Sequence, residues 1–475
     1  MFSREESVRP TLYRGLKYWG KKPHNIWRDL IVENTNKDDV VYDPFAGSAL
    51  TFFESIKTHR KPVICDINPL TLFLIDLYSR KYDLQRVRSL ALCIIKKIKK
   101  LPAYKNTYVT KCANCSKNVD IYNFKHLSGK AEYISYKCPH CHKTITQDNA
   151  IIPHFFEIKD LWMPTFDLEK LSSVTPAFIK KIGGKDITNL WTKQNIVLLS
   201  ILFNEILSID TIERDALMFG FLQIAHLTTK MCALRGKGAN RPLSTSWGRP
   251  AYLGLTNFME QNPIVQFERA IVGNAGVLKC LKSRDEYLPQ YSYSTDLKNI
   301  ENVDGIVLLS DCKNIKGGFK ADFMITDPPY GSVIQYGELS QVWNVWLEKY
   351  DTKYKVSLED EIIVNKNKSY QRYINDMVCV LKNCRNILKK KKTFILTFNS
   401  NNTDDWKALS AAIDASGFEV VEKCLQKNKR SSEANVQLKE GIGISDYYFL
   451  LTENLIPNWR IECRTQKVAM IRETL

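Results

Sequence analysis

The stretch that decides the fold is Val40-Val41-Tyr42-Asp43-Pro44-Phe45-Ala46-Gly47-Ser48-Ala49. Residues that favour strands run into an acid, a proline and a glycine. A buried strand is therefore expected to stop at Asp43 and open into a tight loop. Leu50 to His59 has a helical pattern. Pro62-Val63-Ile64-Cys65 reads as a second strand, ending in Asp66-Ile67-Asn68-Pro69. Strand, loop, helix and strand in this order make a Rossmann-type unit, whose ligand edge lies at the carboxyl ends of the strands. Gly47 lets backbone approach a ligand at the helix start. Asp66 follows Asp43 by 23 positions, near the spacing at which an acid bonds ribose hydroxyls. The loop is not GxGxxG, so a dinucleotide is not favoured. Taken singly, each acid has a competing explanation as a helix cap at a strand end.

A second strand exit carries the chemistry. Ala321-Asp322-Phe323-Met324-Ile325 reads as a buried strand and is followed by Thr326-Asp327-Pro328-Pro329-Tyr330-Gly331. Neither proline has an N–H for a sheet ladder, so the strand ends abruptly and presents Asp327 and Tyr330. This arrangement suits methyl transfer to a planar exocyclic amine. Asp327 can accept one N–H and the Pro328 carbonyl another, with Pro328-Pro329 holding both acceptors still. Tyr330 offers a flat face for a base that has left a duplex. Asp43 can accept from an amino group, which suits the methionine end of S-adenosylmethionine.

Composition agrees with such a partner. The chain has 475 residues, net charge +17 and a hydrophobic fraction of 44%. It is long enough for two to four units and basic enough to favour nucleic acid first and a membrane surface second. The start, Met1-Phe2-Ser3-Arg4-Glu5-Glu6, lacks the apolar core of a secretory signal, and no apolar run spans a membrane. Thirteen scattered cysteines fit a reducing cytoplasm with free thiols and metal ligands.

Asp43-Pro44-Phe45-Ala46-Gly47-Ser48 together with Asp327-Pro328-Pro329-Tyr330 resembles the amino-group DNA methyltransferases. That resemblance implies an α/β, class I methyltransferase sheet of seven strands in the order 3-2-1-4-5-7-6, the seventh antiparallel. It also implies S-adenosylmethionine as cofactor and double-stranded DNA as substrate. The first loop would then hold the cofactor with Asp66 and Ile67, and with Asp311 and Cys312 at the adenine. Lys17 to His24 resembles an upstream cofactor motif, with Lys21 as its contact. The departure is Ala49, where the commonest loop of the family has a second glycine.

Between the two loops lies an insertion of about 220 residues. Cys112-Ala113-Asn114-Cys115 and Cys138-Pro139-His140-Cys141 are separated by 22 residues. Paired knuckles at this distance read as a four-thiolate, structural zinc ribbon on Cys112, Cys115, Cys138 and Cys141. Its use is either DNA contact or a staple for a small subdomain. With Asn189-Leu190-Trp191-Thr192-Lys193-Gln194 and the Tyr336 to Leu347 region, the ribbon narrows the resemblance to adenine-specific DNA methylases that contain one. The expected division is a catalytic domain, 1–83 and 301–475, a zinc ribbon, 84–150, and a mostly helical, target-recognition region, 151–300. Arg235 to Pro242, with Trp247 and Arg249, reads as either a phosphate-contacting loop or a solvated one, and so does Lys427 to Ser432. A restriction or defence-system partner is a further expectation.

The expected activity is transfer of a methyl group to the N6 amine of a flipped-out adenine in a specific DNA sequence. N4-cytosine or RNA methylation is the alternative within enzymes. A catalytically inactive DNA-binding regulator on the same scaffold is the alternative outside them. The helices expected later in the chain are Ala251 to Lys282, Val333 to Lys349, 371–392 and Asp404 to Ser416, with strands at Thr393 to Phe398, Phe418 to Glu422 and Ser445 to Leu451.

Overall fold

The computed structural model describes residues 5–149, 158, 160–234, 252–355, 357, 359–427 and 445–453. The expected basic loop at 235–242, Trp247, Arg249 and residues 428–432 lie outside these.

One eight-stranded sheet organises the chain. Its strands are β1 (Val40–Asp43), β2 (Lys61–Asp66), β3 (Tyr293–Ser294), β4 (Gly305–Leu309), β5 (Ala321–Thr326), β6 (Leu388–Phe398), β7 (Glu419–Lys427) and β8 (Ser445–Thr452). They lie in the order β7-β8-β6-β5-β1-β2-β4-β3. All neighbouring pairs are parallel except those of β8, which runs antiparallel to both β6 and β7. The count corrects the expected seven. The chain leaving the insertion lays two extra residues, β3, along the edge of β4, and the Tyr293 hydroxyl anchors them by donating to Asp76 at 2.9 Å.

Side chains alternate across a strand, and here the two faces fill differently. Val41, Ile64, Phe323 and Ile325 point into one core; Tyr42, Val63, Cys65 and Met324 point into the other. The second core is closed by helices Tyr370–Ile387 and Thr403–Ser416. The latter is capped by Asn402 and stopped by Gly417 at φ +80°. The first core takes the helices after β1 and β2 together with described residues of the insertion, including Ile94, Phe124, Leu199, Phe219 and Phe267. The insertion therefore extends one face of the catalytic sheet.

Two expectations about elements are corrected. The stretch 251–282 contains a strand, Phe258–Gln261, before helix Pro263–Val272. It pairs with Asn123–Leu127, so residues from both expected inserted regions share one four-stranded sheet. Four residues, two apolar and two polar, do not reveal a strand or its partner, and tertiary pairing decided it. Glu260 on this strand ties the small sheet to helix Lys193–Leu207: it accepts from Tyr108, Thr192 and Gln194 at 2.7–2.9 Å and meets His126 at 2.7 Å. The other correction is Lys389 to Lys392, which opens β6 and does not end a helix. Leu388 pairs with Ala321, and the Lys389 ammonium donates to both oxygens of Asp322 at 2.8 Å.

Candidate active site and four-cysteine centre

Strands β1 and β5 are parallel neighbours, with Tyr42 opposite Met324. Their exits therefore stand side by side. The Thr326 hydroxyl donates to Asp43 Oδ1 at 2.6 Å and fastens one loop to the other. A single cavity is lined from the first loop by Asp43, Pro44, Phe45, Ala46, Gly47 and Ser48. Asp66, Ile67, Asp311 and Cys312 line it from neighbouring strand ends, and Asp327 and Pro329 from the second loop. Pro328 is buried behind this wall. Tyr330 lines an adjoining groove of about 1020 Å³, and Tyr18 to Lys22 form the wall between the two spaces.

In the first loop, Gly47 sits at φ +51°, and a Cβ there would come within 3.1 Å of the Tyr18 ring. Its N–H donates to Asp66 Oδ2 at 2.6 Å, and the Asn68 N–H donates to Oδ1 at 2.7 Å. Burial pushes Asp66 up to about 7 despite these two donors. Asp43 is occupied by the protein: Oδ1 accepts from Phe45 N–H and Thr326, and Oδ2 from Thr51. Burial raises it to about 6. Asp311 caps a short turn by accepting the Lys313 N–H, and the Lys313 ammonium stands 3.5 Å away.

The second loop leaves its acceptors open. Asp327 Oδ1 takes Tyr330 and Thr397 hydroxyls, at 2.5 and 2.6 Å, and the Lys22 ammonium at 3.2 Å. Among the described residues no donor is bonded to Oδ2, nor to the Pro328 carbonyl. Burial raises the Asp327 carboxyl, and Lys22 opposes that rise. The loop is buttressed from behind: Tyr373 donates to the Pro329 carbonyl at 2.8 Å, and Asp405 accepts from Ser332 N–H at 3.1 Å and Tyr370 at 2.8 Å. Gly331 is at φ +56°, and a Cβ there would lie 2.2 Å from Asp405.

Sequence reasoning chose Lys21 from the upstream segment. Lys21 lines the cavity, but its ammonium donates to the carbonyls of Tyr13, at 2.9 Å, and Leu16. Burial, with Arg9 nearby, lowers it to about 7. Its neighbour Lys22 reaches the active loop instead. It meets Asp446 at 3.0 Å and the Tyr330 hydroxyl at 2.5 Å as well as Asp327. Burial alone would lower Lys22, yet the two carboxylates outweigh it and raise its pKa. Asp446, Asp405, Asn344 and Glu361 were missed. None carries a local motif, although Glu361 stands in the acidic run Glu359-Asp360-Glu361.

The four cysteines form a separate centre in the insertion. Their sulfurs all lie within 4.8 Å of one another, with Cys112 to Cys141 at 3.8 Å and Cys115 to Cys138 at 3.5 Å. A tetrahedral zinc ion with bonds of about 2.3 Å sets sulfur edges near 3.8 Å, so the donor set fits that ion. The knuckles are copies. Cys112 N–H donates to Lys117 and Ser116 N–H to Cys112, both at 2.8 Å. Cys138 N–H donates to Lys143 at 2.9 Å and His142 N–H to Cys138 at 3.0 Å. Ser116 and His142 occupy the same left-handed position, at φ +56° and +58°.

Residues 4–73 and 321–453 match a family model of N6/N4 type, described as DNA methylase. The matched segments carry both loops and omit the insertion. No curated protein matches the chain.

Proposed function

We propose, from the premise that the two outer segments of this chain belong to a family of amino-group DNA methylases, that the protein methylates the N6 amine of adenine in a specific DNA sequence, with S-adenosylmethionine as donor. The coarser activity, methyl transfer to a DNA amino group, comes with the family. The finer reading is supported by Asp as first residue of the loop Asp327-Pro328-Pro329-Tyr330.

The observation that carries the reading is a pair of open acceptors at one strand exit, Asp327 in the cavity wall and Pro328 immediately after it. Among the described residues no donor is bonded to Asp327 Oδ2 or to the Pro328 carbonyl, while Oδ1 is fixed by three donors. An exocyclic amine has two N–H groups and a lone pair delocalised into its ring. Two rigid acceptors draw both hydrogens aside and free the lone pair for attack. The cofactor would supply an electrophilic methyl group. Asp66 would accept from its ribose, and Gly47 would let its backbone side approach. Tyr330, on the groove, would meet the face of the extruded base once Lys22 yields the carboxylates it now bridges. No general base is required, because the amine's proton becomes acidic only after the methyl has joined.

In this reading the insertion recognises the target, its four cysteines holding zinc as a structural ion. Ala49, the one residue that favoured an inactive scaffold, does not line the cavity. The test is to incubate purified protein with unmethylated DNA and labelled cofactor, digest the product, and identify the modified nucleoside by mass spectrometry. N6-methyldeoxyadenosine is expected, and Asp327→Ala should lower its formation by about 100-fold or more. A methylated cytosine would move the reading to the N4 amine. Undiminished turnover by Asp327→Ala would remove the mechanism.

A further inference from the structure

Two polar groups in the cavity wall have been left for a ligand. Asn344, on helix Tyr336–Tyr350, is 3% exposed and lines the cavity, yet among the described residues neither its amide oxygen nor its amide nitrogen has a hydrogen-bond partner. A buried amide unpaired at both ends is rare in a folded chain, because each end forfeits its bonds to water. Glu361 is 5% exposed and lines the same cavity. One of its oxygens accepts the Gly337 N–H at 2.7 Å, and no described donor is bonded to the other. The acid that sequence assigned to an amino group, Asp43, is meanwhile occupied by Phe45, Thr326 and Thr51.

An amide that can donate and a carboxylate with an open oxygen, lining one cavity, complement a zwitterion. Its ammonium needs an acceptor and its carboxylate needs donors. Building on the reading of this cavity as the S-adenosylmethionine site, we infer that Asn344 and Glu361 hold the α-amino-acid end of the cofactor. Glu361 accepts from the ammonium, and the Asn344 amide nitrogen donates to the carboxylate. These residues come from the two segments that follow the active loop. The helix carrying Asn344 begins six residues after Tyr330. Binding this end of the cofactor therefore packs the catalytic loop's own continuation against it.

Calorimetry on the full chain tests the assignment with two ligands. S-adenosylhomocysteine carries the amino-acid end; 5′-methylthioadenosine has the same nucleoside and thioether without it. Asn344→Leu and Glu361→Gln should each weaken S-adenosylhomocysteine by on the order of ten-fold or more, the worth of a hydrogen bond to a charged group. Both should leave methylthioadenosine unchanged. Equal weakening of both ligands would place the pair at the ribose and overturn the inference, as would no change in either. Wild-type protein that binds neither ligand would overturn the cofactor reading itself, a different failure. The thermal melt adds a readout without ligand. Asn344→Leu should melt no lower than wild type, because no protein partner is lost. A large drop would show that the amide serves the fold and would sink the proposal.

Discussion

The four-cysteine centre and the cavity between the two loops differ in how far apart their parts lie in the chain. The centre is two copies of one turn, 22 residues apart, each presenting two sulfurs from its own backbone. Its donors face one another and nothing else is asked of them. The cavity draws on segments from Tyr18 to Ile362. Its acids are partly consumed in tying those segments together, as Asp43 is, and partly left open, as Asp327 Oδ2 is. A closed shell of identical local turns suits a resident ion. An open shell assembled across a sheet suits ligands that must enter and leave.

The largest effect should follow from breaking the closed shell. Cys138→Ser removes one of the four clustered sulfurs, the one that accepts the Cys141 N–H at 3.5 Å. Structural zinc contributes about 10 kcal/mol or more to small ribbons, so its loss should unfold the ribbon locally. Because Phe124, Ile134 and Tyr136 belong to the core shared with the catalytic sheet, the damage should spread to the whole chain. Elemental analysis should find about one zinc in wild type and little in the variant. Its melting should fall by about 10 °C, since about 10 kcal/mol are lost at roughly 1 °C each in a chain of this length. A variant that kept its zinc would show that the cluster is not the binding site.

The same contrast explains what could be read from sequence. Both glycine- and proline-marked strand exits and both knuckles were legible, because each is a local requirement. Gly47 and Gly331 need positive φ, and Pro328-Pro329 ends a ladder. The strand Phe258–Gln261 was not legible, since only its pairing with residues 123–127 makes it one. Lys22 was passed over for Lys21 because adjacent lysines are equivalent until tertiary structure turns one toward a carboxylate. Asn344 and Glu361 were invisible for the same reason. A polar residue on a mixed helix, or an acid in an acidic run, reads as a surface residue until the cavity beside it is seen.

The open shell should show itself in pH dependence. Burial pushes the Glu361 carboxyl from its usual 4.5 up to about 7. An acid raised in this way holds more protons in the folded than in the unfolded chain. Its charge costs nothing below about pH 4.5, costs progressively more as pH rises, and costs in full above about 7. Glu361→Gln removes that cost and keeps an acceptor for the Gly337 N–H. In the absence of ligand the variant should melt a few degrees above wild type at pH 8, and the two should converge at pH 5. A wild type that stays level with the variant at pH 8 would mean that the second oxygen is satisfied after all. The cysteine centre is the same in both proteins and should contribute no such difference.

The smallest effect concerns Ala49, where the resemblance expects glycine. Ala49 is fully buried at φ +60°, its N–H donating to Ala46 at 2.9 Å and its carbonyl accepting from Phe53 at 3.1 Å. The position therefore needs a left-handed residue for the turn, and the reason for glycine is backbone shape and not room for a ligand. Ala49→Gly should relieve about 1–2 kcal/mol of left-handed strain. It should also lose about 0.8 kcal/mol from the buried methyl and about 0.4–1 kcal/mol through a freer unfolded chain. These nearly cancel, so the melting temperature should move by no more than about 4 °C, and calorimetry should give an unchanged affinity for S-adenosylhomocysteine. A tenfold gain in affinity would show that the alanine does narrow the cofactor's path. Unchanged binding would show that this departure from the family loop alters the hinge of the site and leaves its wall intact.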